Sequence, residues 1–383
     1  MIWRTKNELS KPVSVKYCGP FLDFTGYGEA NRNAIMALHT VGVEVTTEKV
    51  EYASGNADFG EAAELAQRLE GRPIKYDIKI VHVPSDGYMK FLEPAKYHIG
   101  HLFWETDSIS KTWVWNCNLM DEIWTGGQIH KENFRRAGVK VPIHVFPQAI
   151  DNVIQVQKPF RVTDHKGYMF YSIFQWIERK NPKALLKAYW EEFQGEDNVS
   201  LLLKVYRFGF DKSEREQIRK DINDWKEEFG HKHFPKIFLF FDLVDKSDMF
   251  RIHYTGDCFV SAHRGEGWGI PQAEAAVIGN PIISTGLGGV HEWFEDEKSA
   301  FLTKWKRTKV KNMDFAPWYE KNQHWAEVDH ADLKKRMRFV FDNPEEAKKV
   351  GNMAKDVAYN KLSYKAVGEA MRDRLVDIQR LIK

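Results

Sequence analysis

Two glutamates, Glu266 and Glu274, lie eight positions apart in the stretch HRGEGWGIPQAEA, residues 263 to 275. An apolar run precedes this stretch and an alanine-rich run follows it, which predicts a strand, a glycine-rich loop and a helix with Pro271 in its first turn. Parallel sheets bind ligands at the carboxyl ends of their strands, and the free amides at a helix start attract phosphate or carboxylate groups. The stretch is therefore a candidate ligand site.

A purely structural role is the alternative for each glutamate. An acidic residue near a helix N-terminus stabilises the helix by a few tenths of a kcal/mol without any ligand, and for Glu274 this alternative stays open. Glu266 is flanked by Gly265, Gly267 and Gly269. Glycines at this density indicate a backbone that bends sharply or lets another group approach closely. Glu266 is therefore the stronger candidate for a site residue.

Composition limits the class of protein. The 383 residues leave room for two or three domains, and 43% hydrophobic and 14% aromatic residues indicate a large buried core. A net charge of +2, from 56 basic and 54 acidic residues, does not mark a nucleic-acid-binding protein. Three widely spaced cysteines fit neither a disulfide framework nor zinc binding. With no apolar signal core and no run of about 18 apolar residues, we expect a soluble, cytoplasmic protein.

Short apolar strands alternate with helical stretches, a pattern typical of parallel sheets covered by helices. The polar stretch 151–166 separates two such series and is the predicted linker. We therefore predict an α/β protein with two Rossmann-like domains facing each other across a cleft. Residues 1–155 form the first domain and residues 156–362 the second, with a C-terminal helix at about 363–383 packing back on the first. The predicted strands are 13–17, 78–83, 97–103 and 143–146 in the first series, and 168–174, 199–205, 237–241, 258–261 and 281–284 in the second.

Several motifs in order resemble those of retaining glycosyltransferases of the GT-B fold, in particular glycosyltransferase family 4. The signature of that family is a pair of glutamates separated by seven residues at a strand–helix junction, which Glu266 and Glu274 match. The resemblance covers nearly the whole chain. The other matching segments are GYGEANRN at 26–33, FWETD at 103–107, DEIWTGGQIHKENFRRAGV at 121–139, FPQAID at 146–151, SIFQWIERKNPKALLKAY at 172–189 and GLGGVHEWF at 286–294.

The resemblance implies an enzyme that transfers a sugar from a nucleotide-diphosphate sugar to an acceptor hydroxyl with retention of configuration. It implies that Glu274 binds the donor ribose and that Glu266 faces the donor sugar as a catalytic residue. A carboxylate can accept strong, charge-assisted hydrogen bonds from two vicinal hydroxyls, which fits both roles. UDP-sugar is the favoured donor and GDP-sugar the alternative. The further donor-binding residues are Gly26, Tyr27, Gly28, Arg179, Val244, His263, Gly267, Trp268, Gly269 and Ile270. For His263 and for the turn at Gly26 and Gly28, a purely structural role is the alternative.

The leaving nucleoside diphosphate needs positive charge. The sequence has no Asp-x-Asp motif and its His and Cys residues are scattered, so we expect no metal ion and no other cofactor. Arg179 and Lys180 are the first candidates for the cations, and Lys204, within an apolar run, is the second, although a snorkelling lysine at a strand end is the alternative. Many family members carry an arginine where this chain has Phe174. The sequence leaves open which cations replace the usual pair.

Candidate contacts for the acceptor are weaker. Glu105, in WETD, follows a predicted strand and points towards the acceptor or donor sugar, or else serves a helix cap. The stretch LTKWKRTKVKN at 302–312 carries five basic residues around Trp305, with Lys306 and Arg307 as candidates. Basic residues interleaved with an aromatic one suit a polyanionic acceptor, namely an anionic lipid, an acidic glycan or, as a minority option, nucleic acid. The alternative is a solvated surface loop.

Two other classes of function stay open at this stage. One is another reaction on the same fold, such as epimerisation of a sugar nucleotide, although that family lacks the two-glutamate signature. The other is a protein that binds sugar nucleotides without catalysis. For the acceptor, a glycan, a lipid-linked sugar or another hydroxyl compound are all compatible with the sequence.

Overall fold

The computed structural model describes residues 12–53, 55, 57–152, 157–165, 167–193, 197–231 and 233–383. The first eleven residues of the chain, and residues 153–156 and 166 of the predicted linker, lie outside the described residues. The part of the linker at 157–165 contains no helix or strand. No helix of the described chain is long and apolar enough to cross a membrane.

Within the described residues the strands form two parallel six-stranded sheets, each covered by helices. The N-terminal sheet has the order β2-β1-β3-β4-β5-β6. Its strands are β1 Ser14–Gly19, β2 Glu44–Lys49, β3 Ile78–Val81, β4 Tyr97–His101, β5 Glu122–Thr125 and β6 Ile143–Val145, and its helices are α1 Gly26–Thr40, α2 Glu61–Arg68, α3 Lys111–Cys117 and α4 Gln128–Ala137.

The C-terminal sheet has the order β12-β11-β10-β7-β8-β9, and β13 pairs with β14 in a separate antiparallel ribbon. The strands are β7 Tyr168–Gln175, β8 Val199–Tyr206, β9 Lys236–Phe240, β10 Cys258–Ser261, β11 Ile282–Thr285, β12 Phe301–Thr303, β13 Trp305–Lys309 and β14 His324–Val328. The helices are α5 Pro182–Glu192, α6 Lys212–Phe229, α7 Lys246–Thr255, α8 Ile270–Val277, α9 His330–Asp342, α10 Pro344–Lys361 and α11 Tyr364–Leu381.

The last helix, α11, joins the core of the N-terminal sheet. Four of its apolar side chains are buried with residues of β1, β2 and α1, and Gly368 lets the helix approach the Ala37 carbonyl so closely that a Cβ would come within 2.2 Å of it. The Tyr364 hydroxyl also donates to Asn33 Oδ1 at 2.8 Å. The chain therefore leaves the N-terminal half near Ile150 and returns to it beside that point, where Ile150 and Ser363 form a parallel bridge.

The two-domain α/β architecture predicted from strand–helix alternation is confirmed. Each strand predicted from the sequence is present, and all except β10 differ from the prediction at one or both ends. For the basic stretch 302–312, the alternative to a functional role was a solvated surface loop. The expectation of a loop is wrong. Most of the stretch is strand, with Arg307 paired to Ala326 of β14. The exposed basic side chains hide this strand from a search for apolar runs, while Trp325 on the partner strand is buried.

Candidate active site

A cleft of about 470 Å³ lies between the two domains and receives side chains from both. Its C-terminal wall includes Glu266, in the loop that joins β10 to α8, and Glu274, in α8 itself. The predicted strand–loop–helix is therefore present. Gly269 adopts a left-handed conformation (φ 111°) immediately before α8, and Pro271 lies in the first turn of that helix. The amides at this helix start therefore border the cleft.

The glycines of this loop are explained by close packing against neighbouring segments. A Cβ on Gly265 would lie 2.1 Å from the carbonyl oxygen of Glu105, and one on Gly267 would lie 3.0 Å from Phe103 Cβ. On the other side, a Cβ on Gly288 would lie 2.9 Å from the Glu266 carbonyl oxygen. Larger residues in place of Gly265 or Gly267 would push the two domains apart at this point. The glycine density thus permits the N-terminal domain to approach Glu266.

Glu266 is buried beside two cations. Lys180 Nζ donates to Glu266 Oε1 at 2.5 Å, and Arg179 Nη1 donates to Glu266 Oε2 at 3.3 Å. Burial opposes ionisation of Glu266, but the charges of Lys180 and Arg179 outweigh it and lower its pKa to about 2. Burial lowers the pKa of Lys180, and the contact with Glu266 opposes that effect. Both cations belong to the short turn Glu178–Lys180 that follows β7, so the end of this strand supplies the positive charge.

Glu274 belongs to a second charged cluster, which bridges the domains. Lys246 Nζ, at the start of α7, donates to Glu274 Oε1 at 2.7 Å and to Glu29 on α1 of the N-terminal domain. His253 Nε2 lies 3.4 Å from Glu274 Oε2. Burial opposes the ionisation of Glu29, but Lys246 and Arg32 lower its pKa to about 2. Burial likewise opposes ionisation of Glu274, and Lys246 again outweighs it to lower the pKa.

Sequence reasoning missed Glu29 and Lys246. Glu29 lies in the quoted motif GYGEANRN, and Lys246 lies two positions after Val244, one of the predicted donor-binding residues. A charged residue in the first turn of a helix that follows a strand was the available signal for both. Their contact joins residues that are 217 positions apart in the chain, and no local pattern reports such a contact.

The glycine loop of the N-terminal domain forms the first turn of α1. Gly26 and Tyr27 line the cleft. Gly28 is required for packing, because a Cβ there would lie 1.9 Å from the Asp23 carbonyl oxygen, whereas a Cβ on Gly26 would meet nothing within 4 Å. Gly26 therefore leaves open space at the point where the helix start borders the cleft.

Of the remaining predicted donor residues, Val244, Gly267, Trp268, Gly269 and Ile270 line the cleft. His263 is fully buried, and its Nε2 lies 3.3 Å from Ser284 Oγ. Burial is the main cause that lowers the pKa of His263 to about 3, so the ring is neutral at pH 7. The structure places this histidine behind the motif loop, outside the residues that line the cleft.

Lys204 also lines the cleft, and its ammonium group lies beside aromatic rings. Its Nζ is 5.6 Å from the ring centre of Tyr206 and 5.1 Å from that of Phe210. Phe174, at the position where many family members have arginine, is buried in the cleft wall and stacks on Trp176. Of the predicted cations, the structure therefore brings Arg179 and Lys180 to Glu266 and places Lys204 among aromatic rings.

The N-terminal side of the cleft carries Glu105 and a group of aromatic residues. Tyr319 Oη donates to Glu105 Oε2 at 3.2 Å, and Arg179 Nη2 lies 3.6 Å from Glu105 Oε1. Tyr319 belongs to the connection between β13 and β14, which crosses from the C-terminal domain and packs on Trp104 with ring centres 4.7 Å apart. Trp318, the residue before Tyr319, packs near Trp113 with ring centres 6.2 Å apart. We refer to the four rings of Trp104, Trp113, Trp318 and Tyr319, which all line the cleft, as the aromatic wall. It was not predicted.

The two basic candidates for the acceptor lie outside the cleft lining. Arg307 is bound to Asp107 of the N-terminal domain, with Nη2 to Oδ2 at 2.6 Å, and so joins the two domains. Lys306 lies in a separate surface depression with Lys183, Lys187 and Trp305. A contact of either residue with an acceptor stays a prediction. Among the described residues no group of three or more His, Cys, Asp or Glu side chains is arranged to hold a metal ion.

Comparison with solved structures relates this geometry to known folds. No family model matches the chain, and no curated protein matches it in sequence. HepE of Anabaena in complex with UDP-glucose has a TM-score of 0.68 at 13% identity, over 95% of this chain and 99% of HepE. Sucrose-phosphate synthase of Thermosynechococcus elongatus has a TM-score of 0.68 at 12% identity, over 96% of this chain and all of that one. A glycosyltransferase of Rickettsia africae has a TM-score of 0.64 at 12% identity, over 97% of this chain and 99% of that one. The protein has the GT-B fold that these three neighbours share.

Proposed function

We propose that the protein is a retaining, metal-independent glycosyltransferase of the family 4 type, which transfers a sugar from a nucleotide-diphosphate sugar to an acceptor hydroxyl. The observation that carries this proposal is the placement of Glu266 and Glu274 in one interdomain cleft, each ionised and each beside a cation. HepE binds UDP-glucose in a structure of the same fold, which supports a UDP-sugar as donor. A GDP-sugar is the alternative donor.

The arrangement supports a division of roles between the two charged clusters. Glu274 would accept hydrogen bonds from the ribose hydroxyls, in place of part of its contact with Lys246. Glu266 would face the donor sugar, while Arg179 and Lys180 stabilise the negative charge that grows on the leaving diphosphate. The open helix starts at Gly26 and Ile270 would add amide hydrogen bonds to the phosphate oxygens. These cations supply charge of the kind that a divalent ion supplies in other transferases.

Retention of configuration requires transfer on one face of the sugar. The leaving phosphate would take the proton of the acceptor hydroxyl, so no further base is needed. The acceptor would enter on the side of Glu105 and the aromatic wall, because the donor occupies the C-terminal side. The wall suits the apolar face of a sugar ring. An acceptor of polyanionic character, with Lys306 and Arg307 as contacts, remains a second proposal.

Donor turnover measured with and without a panel of acceptors tests this function. We expect Glu274→Gln to raise the KM for the donor more than it lowers kcat, because the ribose contact is made in the ground state and the transition state alike. Glu266→Gln should mainly lower kcat. Glu295→Gln, which changes an exposed glutamate paired with Lys298, is the matched control and should leave both constants unchanged.

The outcomes separate the proposal from its alternatives. Release of nucleoside diphosphate that depends on an acceptor supports transfer, whereas conversion of the donor sugar without an acceptor indicates an epimerase. Donor binding without any turnover indicates a binding protein. If both glutamine variants keep wild-type turnover of every donor that the protein accepts, the assignment of the site is wrong.

A further inference from the structure

Lys204 is a buried cation in the wall of the cleft. It lies on β8, two residues before the strand ends, and its side chain is only 3% exposed. Its ammonium group rests over the rings of Tyr206 and Phe210, at 5.6 and 5.1 Å from their centres. Lysine is almost never buried to this extent without a partner. The position therefore needs an explanation.

Within the described part of the chain, no carboxylate forms an ion pair or hydrogen bond with Lys204. Asp242 is close enough for its charge to favour the ammonium, but its carboxylate is bound to Arg215 at 2.9 Å. Burial is the main cause that lowers the pKa of Lys204 to about 8, which leaves it mostly charged at pH 7. Buried polar groups normally have hydrogen-bond partners. Because Lys204 lines the cleft, a ligand bound there could be the partner of its ammonium group.

The rest of the cleft already has groups suited to the other parts of a sugar nucleotide. Arg179, Lys180 and the helix starts suit the diphosphate, and Glu274 suits the ribose. The surroundings of Lys204 are different, because they are aromatic. Phe24 packs edge-on against Phe210 with ring centres 5.2 Å apart, and Tyr206 stacks on Phe210 at 5.2 Å. Flat apolar surfaces of this kind accommodate a planar base better than a phosphate.

This aromatic group also adjoins the segment at the end of β9. A Cβ on Gly55 would lie 2.6 Å from Leu243 Cδ2 and 3.4 Å from Phe24 Cδ1, so the latter two side chains are neighbours across the domain boundary. Phe24, Lys204, Tyr206, Phe210 and Leu243 all line the cleft. We refer to these five residues as the aromatic pocket.

We propose that the aromatic pocket binds the nucleobase of the donor and that Lys204 selects a base with a carbonyl oxygen at the position of uracil O4 or guanine O6. This inference rests on the proposed function. An ammonium group only donates hydrogen bonds, so it can bind uracil O4 or guanine O6. Cytosine and adenine present an exocyclic amino group at the corresponding position, which also donates. Lys204 would therefore favour UDP and GDP over CDP and ADP.

Calorimetric titration of UDP, GDP, CDP and ADP into the whole protein tests the selection. For Lys204→Met we expect the affinity for UDP or GDP, whichever the wild type binds, to fall about 10- to 100-fold, the effect of losing a hydrogen bond to a charged group. The affinities for CDP and ADP should change by less than about threefold. Lys220→Met, an exposed lysine on α6 that pairs with Asp224, is the matched control.

Lys204→Gln gives a second, independent reading, because a glutamine side chain both donates and accepts. This variant should reduce the difference in affinity between UDP or GDP and CDP or ADP without abolishing binding. Circular dichroism spectra establish whether both variants are folded, and Lys204→Gln carries the test if Lys204→Met is not.

Three results would overturn the inference, and each has a different meaning. An equal loss of affinity for all four nucleotides means that Lys204 contacts a phosphate group. Unchanged affinity for UDP and GDP means that it contacts no ligand. If wild-type protein binds none of the four nucleotides, the proposed function fails and the inference fails with it.

Discussion

The buried charge of Lys204 should destabilise the folded protein in the absence of ligand. A pKa of about 8, in place of the ordinary 10.5, means that burial disfavours the ammonium form. At pH 7, where the residue is charged in both the folded and the unfolded chain, this difference corresponds to roughly 3 kcal/mol in favour of unfolding. Replacement by methionine, which has a similar shape and no charge, should therefore stabilise the protein.

The expected gain is smaller than the full charge penalty. The ammonium rests on two aromatic rings, and such cation–π contacts contribute about 0.5–2 kcal/mol, which methionine would lose in part. We therefore expect Lys204→Met to raise the free energy of unfolding by roughly 1–3 kcal/mol at pH 7, as the balance of these two contributions.

The dependence on pH identifies the cause. The folded-state pKa is the lower one, so the penalty is fully present below about pH 8 and declines as the pH rises towards 10.5. At pH 10 the gain from the charge term should have fallen below about 1 kcal/mol. Thermal and urea unfolding of wild type, Lys204→Met and the control Lys220→Met, each measured at pH 7 and pH 10, give the comparison.

Two results would refute this reasoning. The same gain at pH 7 and pH 10 would mean that methionine stabilises by packing alone. No gain at pH 7 would mean that the ammonium is solvated or paired in the folded protein. The stabilised variant should also be less protected by added UDP or GDP than the wild type, because stabilisation by a ligand follows its affinity. A charge that is costly without ligand and useful with it is typical of a binding site.

The remaining predictions concern the leaving group and the acceptor. Activity should survive exhaustive EDTA treatment, and Lys180→Ala should lower kcat about 10²- to 10³-fold, while the exposed neighbour changed in Lys183→Ala should have no effect; a strict requirement for Mg²⁺ or Mn²⁺ would contradict this account. Trp318→Ala should raise the KM for a sugar acceptor about 3- to 10-fold and leave donor affinity unchanged. A change in donor affinity alone would mean that this residue contacts the donor and not the acceptor. If the acceptor is polyanionic, Lys306→Glu with Arg307→Glu should raise its KM in a salt-dependent way, whereas unchanged acceptor kinetics from low to physiological salt would leave these residues a structural role.

Local patterns in the sequence account for most of the fold. Short apolar runs or alternating apolar residues mark the strands that were predicted, and the helix start at Pro271 follows from its own residue types. The strands that were not predicted, β2, β5, β12, β13 and β14, have no comparably long apolar pattern. β2 is a mostly polar edge strand, Glu44–Lys49, and β13 exposes nearly every side chain, so neither shows the apolar signal of a buried strand.

The candidate site was predictable only where one segment contains the whole signal. Glu266, Glu274 and the glycines between them form such a segment, and Arg179 and Lys180 follow a recognisable strand. The aromatic wall is different, because Trp318 and Tyr319 reach the cleft from a connection about 200 residues along the chain from the segments they contact. Contacts of this kind depend on how the two domains pack against each other. The residue types that flank Trp318 and Tyr319 in the sequence do not determine that packing.

The charges that line the cleft indicate how a donor would be received. The described lining contains four carboxylates, Glu29, Glu105, Glu266 and Glu274, and five cations, Arg32, Arg179, Lys180, Lys204 and Lys246. Each carboxylate already contacts a cation, so the excess positive charge belongs to Lys204. Binding of an anionic donor would therefore redistribute existing ion pairs: ribose hydroxyls would share Glu274 with Lys246, and the diphosphate would draw Arg179 and Lys180 from Glu266. Because this exchange of ion-pair partners would be complete once the donor is bound, little reorganisation would remain for the step in which the leaving group gains charge.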